Sequence, residues 1–328
     1  MKLNHRPRRL RQSPFIRDLV RETEISLSKI CLPLFVTDGK NIEKSNKNIP
    51  SLMTFSLDRL LKYVESAKKE GIKFVLLFGV TEKRNAKASE AFNPNSPLMK
   101  AISEIRSKFP EMIVGTDIAL DPYTDHGHDG LCKIKSSGDY EILNDETVEA
   151  LSKMSLMHAK AGAQIVSPSD MMDGRVLGIR EALDEENFQK TIILSYTAKY
   201  ASCLYGPFRD TLGANLIGDK KTYQMDPANR KEALRELKLD LCEGADIVMV
   251  KPASWYLDVI ADFKRESSVP VAAYHVSGEA ALIELGAKAK LFDRDRAILE
   301  SSTAIFRAGA DILVTYFAKD LARILKRH

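Results

Sequence analysis

The sequence predicts an α/β fold, a (β/α)8 TIM barrel with an extended N-terminal arm, and three observations support this prediction. Eight short apolar runs alternate with amphipathic, helix-like stretches along the 328 residues. The apolar runs are continuous, as expected of parallel strands that are buried on both faces. No Gly-rich dinucleotide fingerprint follows any of the runs, which disfavours the alternative, an open doubly wound sheet.

The eight apolar runs define the predicted strands in chain order. They are Ile30–Val36, Lys73–Val80, Met112–Leu120, Gln164–Pro168, Thr191–Tyr196, Asp246–Val250, Val269–His275 and Asp311–Tyr316. The clearest helical stretches between them are Ser56–Glu70, Asp145–Ala161, Pro227–Glu243, Ser254–Glu266 and Arg294–Ala308. Three helix-to-strand junctions carry a glycine, at Gly162, Gly244 and Gly309, which suits a helix end that requires a positive φ.

The predicted organisation is an N-terminal arm over residues 1–25 and a catalytic barrel over residues 26–328. The arm mixes six arginines with the apolar residues Leu10, Phe15, Ile16, Leu19 and Val20. A solvated arm, a subunit contact and an RNA- or membrane-binding tail are the alternatives. The helical spacing of the apolar residues favours the subunit contact, so we expect a homo-oligomer.

Composition excludes several classes of protein. The formal net charge of +4 is too small to indicate nucleic-acid binding along the whole chain. The four cysteines are far apart and show no CxxC spacing, which is typical of reduced cytosolic thiols. No apolar run approaches the roughly 18 residues of a membrane span. We therefore expect a cytoplasmic protein with a small-molecule substrate, and neither nucleic acid nor membrane as a partner.

Polar residues cluster where the predicted strands end, which is where such barrels hold their chemistry. Lys199 and Lys251 follow neighbouring strands. Burial lowers the pKa of a lysine toward the neutral amine, and a second ammonium nearby lowers it further. A neutral amine attacks a ketone to form a Schiff base. The alternative is that each lysine head simply reaches water at a strand end.

Six segments of the sequence resemble one known family. They are RRLR (8–11), PLFV (33–36), SYTAKYAS (195–202), YGPFRD (205–210), YQMDP (223–227) and MVKPA (249–253). They are similar to motifs of the porphobilinogen synthase (5-aminolevulinate dehydratase) family and occur in the family's order. The resemblance covers essentially the whole chain. It implies a lyase that condenses two 5-aminolevulinate molecules to porphobilinogen with loss of two waters, in tetrapyrrole and heme biosynthesis.

The resemblance also implies roles for individual residues. Lys199 and Lys251 would each hold one substrate as an imine. From their place at the strand ends, Ser167 and Tyr196 are expected to support the site or to orient the imines. The carboxylate of the first substrate would be bound by Arg209, Lys221 and Gln224, and that of the second by the hydroxyls of Ser277 and Tyr316. From the residues alone, Arg209 could equally be a surface arginine and Tyr316 a core residue. The family has a tyrosine two positions after the glycine that corresponds to Gly278, and this sequence has Ala280 there.

The metal expectation depends on three positions after the third predicted strand. Where zinc-dependent family members carry cysteines, this sequence has Ala119, Asp121 and Asp129. Hard carboxylates suit Mg²⁺ rather than Zn²⁺, so we expect no catalytic zinc and leave open whether Mg²⁺ lies in the active site. Asp117, Asp121 and Asp129 are the candidates for acid–base catalysis or amine binding.

The family also has an allosteric Mg²⁺ site, and the pair Arg235-Glu236 resembles the segment that supplies its carboxylate. Glu236 is therefore expected to bind Mg²⁺, with an exposed helical glutamate as the alternative. The resemblance further implies a homo-octamer, assembled through the arm.

Two other functions fit parts of the sequence. A class I aldolase or lyase is also a Schiff-base barrel, but one catalytic lysine suffices there. A binding protein that uses the basic arm for RNA or protein partners gives no reason for two lysines at neighbouring strand ends. Borohydride trapping with 5-aminolevulinate separates all three.

Overall fold

Eight parallel strands close into a barrel in the computed structural model, which describes residues 3–136, 140–213 and 216–327. The strands are β1 (Ile30–Thr37), β2 (Glu43–Ser45), β3 (Met53–Ser56), β4 (Phe74–Val80), β5 (Ile113–Ile118), β6 (Cys132–Ile134), β7 (Tyr140–Ile142), β8 (Ile165–Pro168), β9 (Ile192–Lys199), β10 (Ile247–Lys251), β11 (Val271–His275) and β12 (Ile312–Thr315). Almost every residue of the eight barrel strands is buried, which explains their continuous apolar sequence.

The order around the barrel is β1-β4-β5-β8-β9-β10-β11-β12, and β12 pairs with β1. The closing register places Ile30 opposite Leu313 and Cys31 opposite Val314. Closure removes the open edges that a doubly wound sheet would have, so the predicted (β/α)8 barrel is confirmed and the alternative is excluded.

Except for the first, which precedes β1 and belongs to the arm, the helices lie between or after the barrel strands along the chain. They are α1 (Pro14–Leu19), α2 (Leu57–Glu70), α3 (Pro97–Lys108), α4 (Asn144–Ala161), α5 (Arg175–Glu185), α6 (Gly206–Leu212), α7 (Arg230–Cys242), α8 (Leu257–Glu266), α9 (Ser277–Lys288), α10 (Arg294–Ala308) and α11 (Ala318–Leu325). Gly162 and Gly309, which follow α4 and α10, have φ values of +110° and +123°, as their place at helix ends predicted.

The structure departs from the predicted boundaries at two strands that bear the site. β5 ends at Ile118 rather than Leu120, because the backbone N–H of Leu120 donates to the carbonyl of Asp129 and begins a loop. β9 continues beyond Tyr196 to Lys199, because it keeps pairing with β10 through a β-bulge. The predicted strand end therefore lay three residues before the lysine that terminates the strand.

Two small additions lie outside the repeating pattern. β2 and β3 extend the sheet beside the end of β1, and β6 and β7 form a separate antiparallel pair after β5. Their three- and four-residue strands are too short to produce a periodic apolar signal.

The first residues of the described chain form a 3₁₀ turn (Pro7–Arg11) and α1, whose N-terminus is capped by Ser13. Phe15 and Leu19 on α1 are 85% and 83% exposed. Large apolar side chains are therefore presented to solvent in the single chain. Among the described residues, no helix is long and apolar enough to cross a membrane.

Candidate active site

The two lysines singled out by the sequence lie side by side at the carboxyl end of the barrel. Lys199 is the last residue of β9 and Lys251 the last of β10, and their Cα atoms are partners in the sheet register. Each lysine is only 5% exposed. Two long cationic side chains thus lie next to each other in a space closed to bulk water.

Aromatic rings surround the amine of Lys251. Its Nζ lies 4.6 Å from the ring centroid of Tyr274, 4.9 Å from Tyr196, 5.2 Å from Phe208 and 5.3 Å from Tyr205. Burial, reinforced by the positive charge of Lys199, lowers the pKa of Lys251 to about 7. A large fraction of this amine is therefore neutral at physiological pH and able to act as a nucleophile.

The surroundings of Lys199 are polar and acidic instead. Its Nζ donates a hydrogen bond to the carbonyl oxygen of Ser169 and lies 3.6 Å from the Oδ2 atom of Asp129. Both contacts are with oxygen atoms, one of them a carboxylate oxygen. The two lysines are thus matched in burial and differ in the chemistry of their neighbours.

A third lysine, Lys220, lies between two of the candidate aspartates. Its Nζ is 3.0 Å from Oδ2 of Asp121 and 3.1 Å from Oδ1 of Asp129. Although burial opposes ionisation, the positive charges of Lys199 and Lys220 bring the pKa of Asp129 down to about 2. Asp129 therefore remains ionised and acts as a fixed negative charge.

The third candidate aspartate, Asp117, behaves differently. Burial raises its pKa to about 7, against the opposing effect of Lys251. Its Oδ1 atom, the hydroxyl of Tyr196 and the hydroxyl of Ser167 are buried without a hydrogen-bond partner among the described residues. Buried polar atoms are normally satisfied, so this cluster is suited to a polar ligand or to a proton in transit.

The structure separates Lys221 from the other predicted site residues. Its side chain is 75% exposed and faces Asp219 at 3.6 Å, whereas the side chain of Lys220 is 7% exposed. The sequence analysis missed Lys220, because the two lysines are adjacent in an irregular segment where no periodicity tells which one points inward. The one feature of the sequence that could have indicated Lys220 is that buried aspartates require a cation nearby.

The remaining predicted ligands divide into two groups. Arg209 on α6 and Gln224 line the same small cavity as Lys199, Lys220 and Lys251, and the Oε1 atom of Gln224 has no partner within the described chain. The cavity has a volume of about 20 Å³, room for about one water molecule. Substrate binding therefore requires that α6 or the side chains around the cavity move.

Ser277 and Tyr316 form the second group. Ser277, at the start of α9, accepts a hydrogen bond from the N–H of Phe208 at 3.1 Å, and the hydroxyl of Tyr316 lies 3.2 Å from that of Tyr274. A Cβ atom on Gly278 would lie 2.4 Å from the carbonyl oxygen of Leu204, so only glycine permits this approach of α9 to the chain before α6. Both hydroxyls therefore lie near the rings around Lys251.

Glu236 is half-buried on α7, outside the cavity. Burial, with the negative charge of Asp240, raises its pKa to about 7 against the opposing effect of Arg175. Arg175 lies 3.6 Å from Asp240 and 3.8 Å from Asp170. In the described part of the chain, no group of three or more His, Cys, Asp or Glu side chains has the geometry of a metal site.

The fold and the site together define a (β/α)8 barrel with buried lysine side chains at the end where such barrels hold their active sites. The family model described as delta-aminolevulinic acid dehydratase matches residues 4–324. Two delta-aminolevulinic acid dehydratases are similar to this chain along 98% of its length and 98% of their own length. The protein of Synechococcus elongatus is 44% identical over 324 residues, and that of Bacillus subtilis is 45% identical over 322 residues.

A solved structure agrees with these sequence comparisons. The Toxoplasma gondii delta-aminolevulinic acid dehydratase (porphobilinogen synthase), in complex with the reaction product porphobilinogen, superposes with a TM-score of 0.94 at 44% identity, over 98% of this chain and 91% of its own. The chain belongs to the delta-aminolevulinic acid dehydratase family. Members of this family are lyases.

Proposed function

We propose that this chain is a porphobilinogen-forming lyase that condenses two molecules of 5-aminolevulinate with loss of two waters, in tetrapyrrole biosynthesis. The observation that carries the proposal is the pairing of Lys199 with Lys251 in the sheet register. Two covalent anchors hold two ketones side by side, which removes the entropic barrier of a bimolecular encounter.

Lys251 is the better nucleophile of the pair. Its neutral amine attacks the ketone carbon of one substrate, and the resulting carbinolamine loses its hydroxyl as water to leave an imine. The rings of Tyr196, Tyr205, Phe208 and Tyr274 shield this imine from hydrolysis by excluding water.

Lys199 forms the second imine in the same way, once it has given up a proton. Asp117 is the carboxyl best matched to receive protons near neutral pH, since its pKa is about 7. Asp129, whose pKa is about 2, is too weak a base for this role. Asp121 and Asp129 instead orient the nearby ammonium groups.

Two clusters are proposed to bind the substrate carboxylates. Arg209, Lys220 and Gln224 line the cavity beside Lys199, and a guanidinium with an ammonium suits a carboxylate. Because Lys221 faces solvent, we assign to Lys220 the role that the sequence had suggested for Lys221. Ser277 and Tyr316 offer hydroxyls to the second carboxylate.

The donor set does not fit a zinc ion at the active site. Asp121 and Asp129 are both paired with Lys220, and Ala119 offers no ligand atom. A divalent cation here would have to displace a buried ammonium, so we propose a reaction without catalytic zinc and without catalytic Mg²⁺.

We propose that Glu236 supplies a carboxylate to an allosteric Mg²⁺, because its half-buried carboxyl lies near those of Asp240, Asp173 and Glu232, and its pKa is raised to about 7. A nearby divalent cation would favour the ionised form. Glu236→Gln should then reduce stimulation by Mg²⁺ while leaving imine trapping at Lys251 intact. Equal stimulation of the variant and the unmodified protein would contradict this assignment.

We further propose a cytoplasmic homo-octamer in which residues 1–25 of one chain contact a neighbour. The exposed Phe15 and Leu19 support this, because burying each in a subunit contact would contribute roughly 1.5–3 kcal/mol. Light scattering of a chain that lacks residues 1–25 should show a smaller assembly, and an unchanged mass would contradict the proposal.

Borohydride trapping tests the central proposal. The protein is incubated with 5-aminolevulinate, reduced, digested and analysed by peptide mass spectrometry, while porphobilinogen is measured in parallel. We expect adducts on Lys199 and Lys251 and none on Lys220 or Lys221. Formation of porphobilinogen with neither Lys199 nor Lys251 modified would overturn the proposed mechanism. Absence of porphobilinogen would overturn the proposed function.

A further inference from the structure

The short helix α6 brings two site residues to the mouth of the barrel and is held there by contacts with other segments, among them the hydrogen bond from the N–H of Phe208 to Ser277. Phe208 contributes one of the rings around Lys251, and Arg209 lines the cavity. A helix of seven residues is only marginally stable by itself. The placement of these two side chains therefore depends on contacts made from other parts of the chain.

Arg84, in the loop between β4 and α3, contacts α6 at its C-terminal end. Its guanidinium donates to the carbonyl oxygens of Leu212 and of Gly213, the latter at 2.7 Å. The last carbonyls of a helix have no partner within the helix, and a cation there is also favoured by the helix dipole. Arg84 therefore satisfies acceptors that α6 cannot satisfy itself.

The same guanidinium also contacts the loop that carries the aspartates. Its Nε atom donates to the carbonyl oxygen of Pro122 at 3.1 Å, next to Asp121 in the chain. The neighbouring N–H of Asn85 donates to the carbonyl of Tyr123 at 3.1 Å, so the backbone beside Arg84 is fixed on this loop as well. One side chain thus joins α6 to the loop bearing Asp121.

We propose that Arg84 is a positioning residue for the reaction: it holds α6, and with it Arg209, in register with the aspartate loop. This inference rests on the proposed function in one respect, the assignment of a substrate carboxylate to Arg209. Arg84 is not among the residues that line the cavity and acts through the backbone of α6. Its loss should weaken binding of the carboxylate in the ground state and the transition state alike, which raises KM and leaves kcat nearly unchanged.

The matched control is Arg106 at the opposite end of the barrel. Its Nη1 atom also donates to two backbone carbonyls, those of Pro110 and Met112, each at 3.1 Å, beside the end of α3. Arg106→Met therefore removes a similar set of hydrogen bonds far from the site. The Arg106→Met variant therefore shows the effect of losing such hydrogen bonds at a place where they support only the fold.

The test compares Arg84→Met, Arg84→Lys and Arg106→Met in the full-length protein. We expect KM for 5-aminolevulinate to rise about tenfold in Arg84→Met, the effect of losing roughly 1.5 kcal/mol of charge-assisted hydrogen bonding, with kcat within about twofold. Arg84→Lys, which keeps the cation at the helix end, should recover part of the loss. Arg106→Met should leave KM unchanged.

Amide hydrogen exchange provides a readout that needs no substrate. Exchange in the peptide spanning residues 206–213 should be faster in Arg84→Met than in the unmodified protein, and unchanged in Arg106→Met. Unchanged KM and unchanged exchange in Arg84→Met would overturn the inference. Inactivity of the unmodified protein would instead overturn the proposed function, and the exchange result would still decide the role of Arg84.

Discussion

The two sides of the active site show how neighbouring lysines of equal burial acquire different properties. Lys251 lies among four aromatic rings, and burial with a nearby positive charge lowers its pKa to about 7. Lys199, its partner in the register, contacts a carbonyl oxygen and the carboxylate of Asp129. Burial does not distinguish the two lysines; the groups around each amine do, with aromatic rings at Lys251 and a carbonyl oxygen and a carboxylate at Lys199.

The largest expected effect on activity comes from removing each of the two lysines separately. Lys251→Met and Lys199→Met should each lower porphobilinogen formation by at least about 10⁴-fold, since each removes a covalent anchor. The variants should differ in trapping: Lys199→Met still forms an adduct at Lys251. Lys238→Met, on the exposed face of α7, serves as the control. Near-normal turnover in either active-site variant would show that one imine suffices.

The next expected effect is on stability and separates the acidic side from the aromatic side. Asp129→Asn leaves Lys199 and Lys220 without their shared anion, and breaking such a buried pair typically costs about 3–5 kcal/mol. Tyr205→Phe removes only a 3.3 Å hydrogen bond to the carbonyl of Lys251, worth about 1 kcal/mol. Urea unfolding midpoints should rank the variants in that order. The reverse order would mean that packing around Lys251 matters more than charge pairing.

A smaller effect is expected for the two adjacent lysines after Asp219. Lys220→Met should lower kcat/KM about 100-fold, since a buried charge contact to the substrate and to two aspartates is lost. Lys221→Met should stay within about twofold of the unmodified protein, because its side chain is 75% exposed. The assignment fails if Lys221→Met is the more damaging of the two.

The smallest expected effect is a shift of pH dependence. The rate of trapping at Lys251 should rise with pH around a midpoint near 7, because only the neutral amine attacks and its pKa is about 7. Asp117→Asn removes a negative charge that raises this pKa, so the curve should move to lower pH. Lys199→Met removes a positive charge that lowers it, so the curve should move to higher pH. Shifts in the same direction for both variants would contradict the electrostatic explanation.

Much of this site could be predicted from sequence, because barrel strands end in the same plane. Continuous apolar runs located β9 and β10, and the lysines that follow them in the chain therefore had to lie close together. The predicted end of β9 was three residues short, since a β-bulge does not appear in an apolar pattern. The error did not affect the prediction, because the strand order alone brings Lys199 to Lys251.

The residues that sequence could not assign lie in irregular segments. Lys220 is buried because Asp121 and Asp129, more than ninety positions earlier in the chain, lie opposite it. Arg84 contacts α6 across a comparable separation. Neither segment has a period that fixes which side chain points inward. Such contacts are set by tertiary structure and have no local signature.

The balance of charge in the cavity also limits how this protein can change over evolutionary time. Three buried carboxyl groups (Asp117, Asp121 and Asp129) lie near three buried amines (Lys199, Lys220 and Lys251). Replacing Asp121 or Asp129 would leave Lys220 with one anion instead of two, and replacing both would leave its buried charge unpaired, which is unfavourable before any metal could bind. A lineage moving between a carboxylate site and a thiolate site would therefore need coordinated substitutions at these positions and at Lys220.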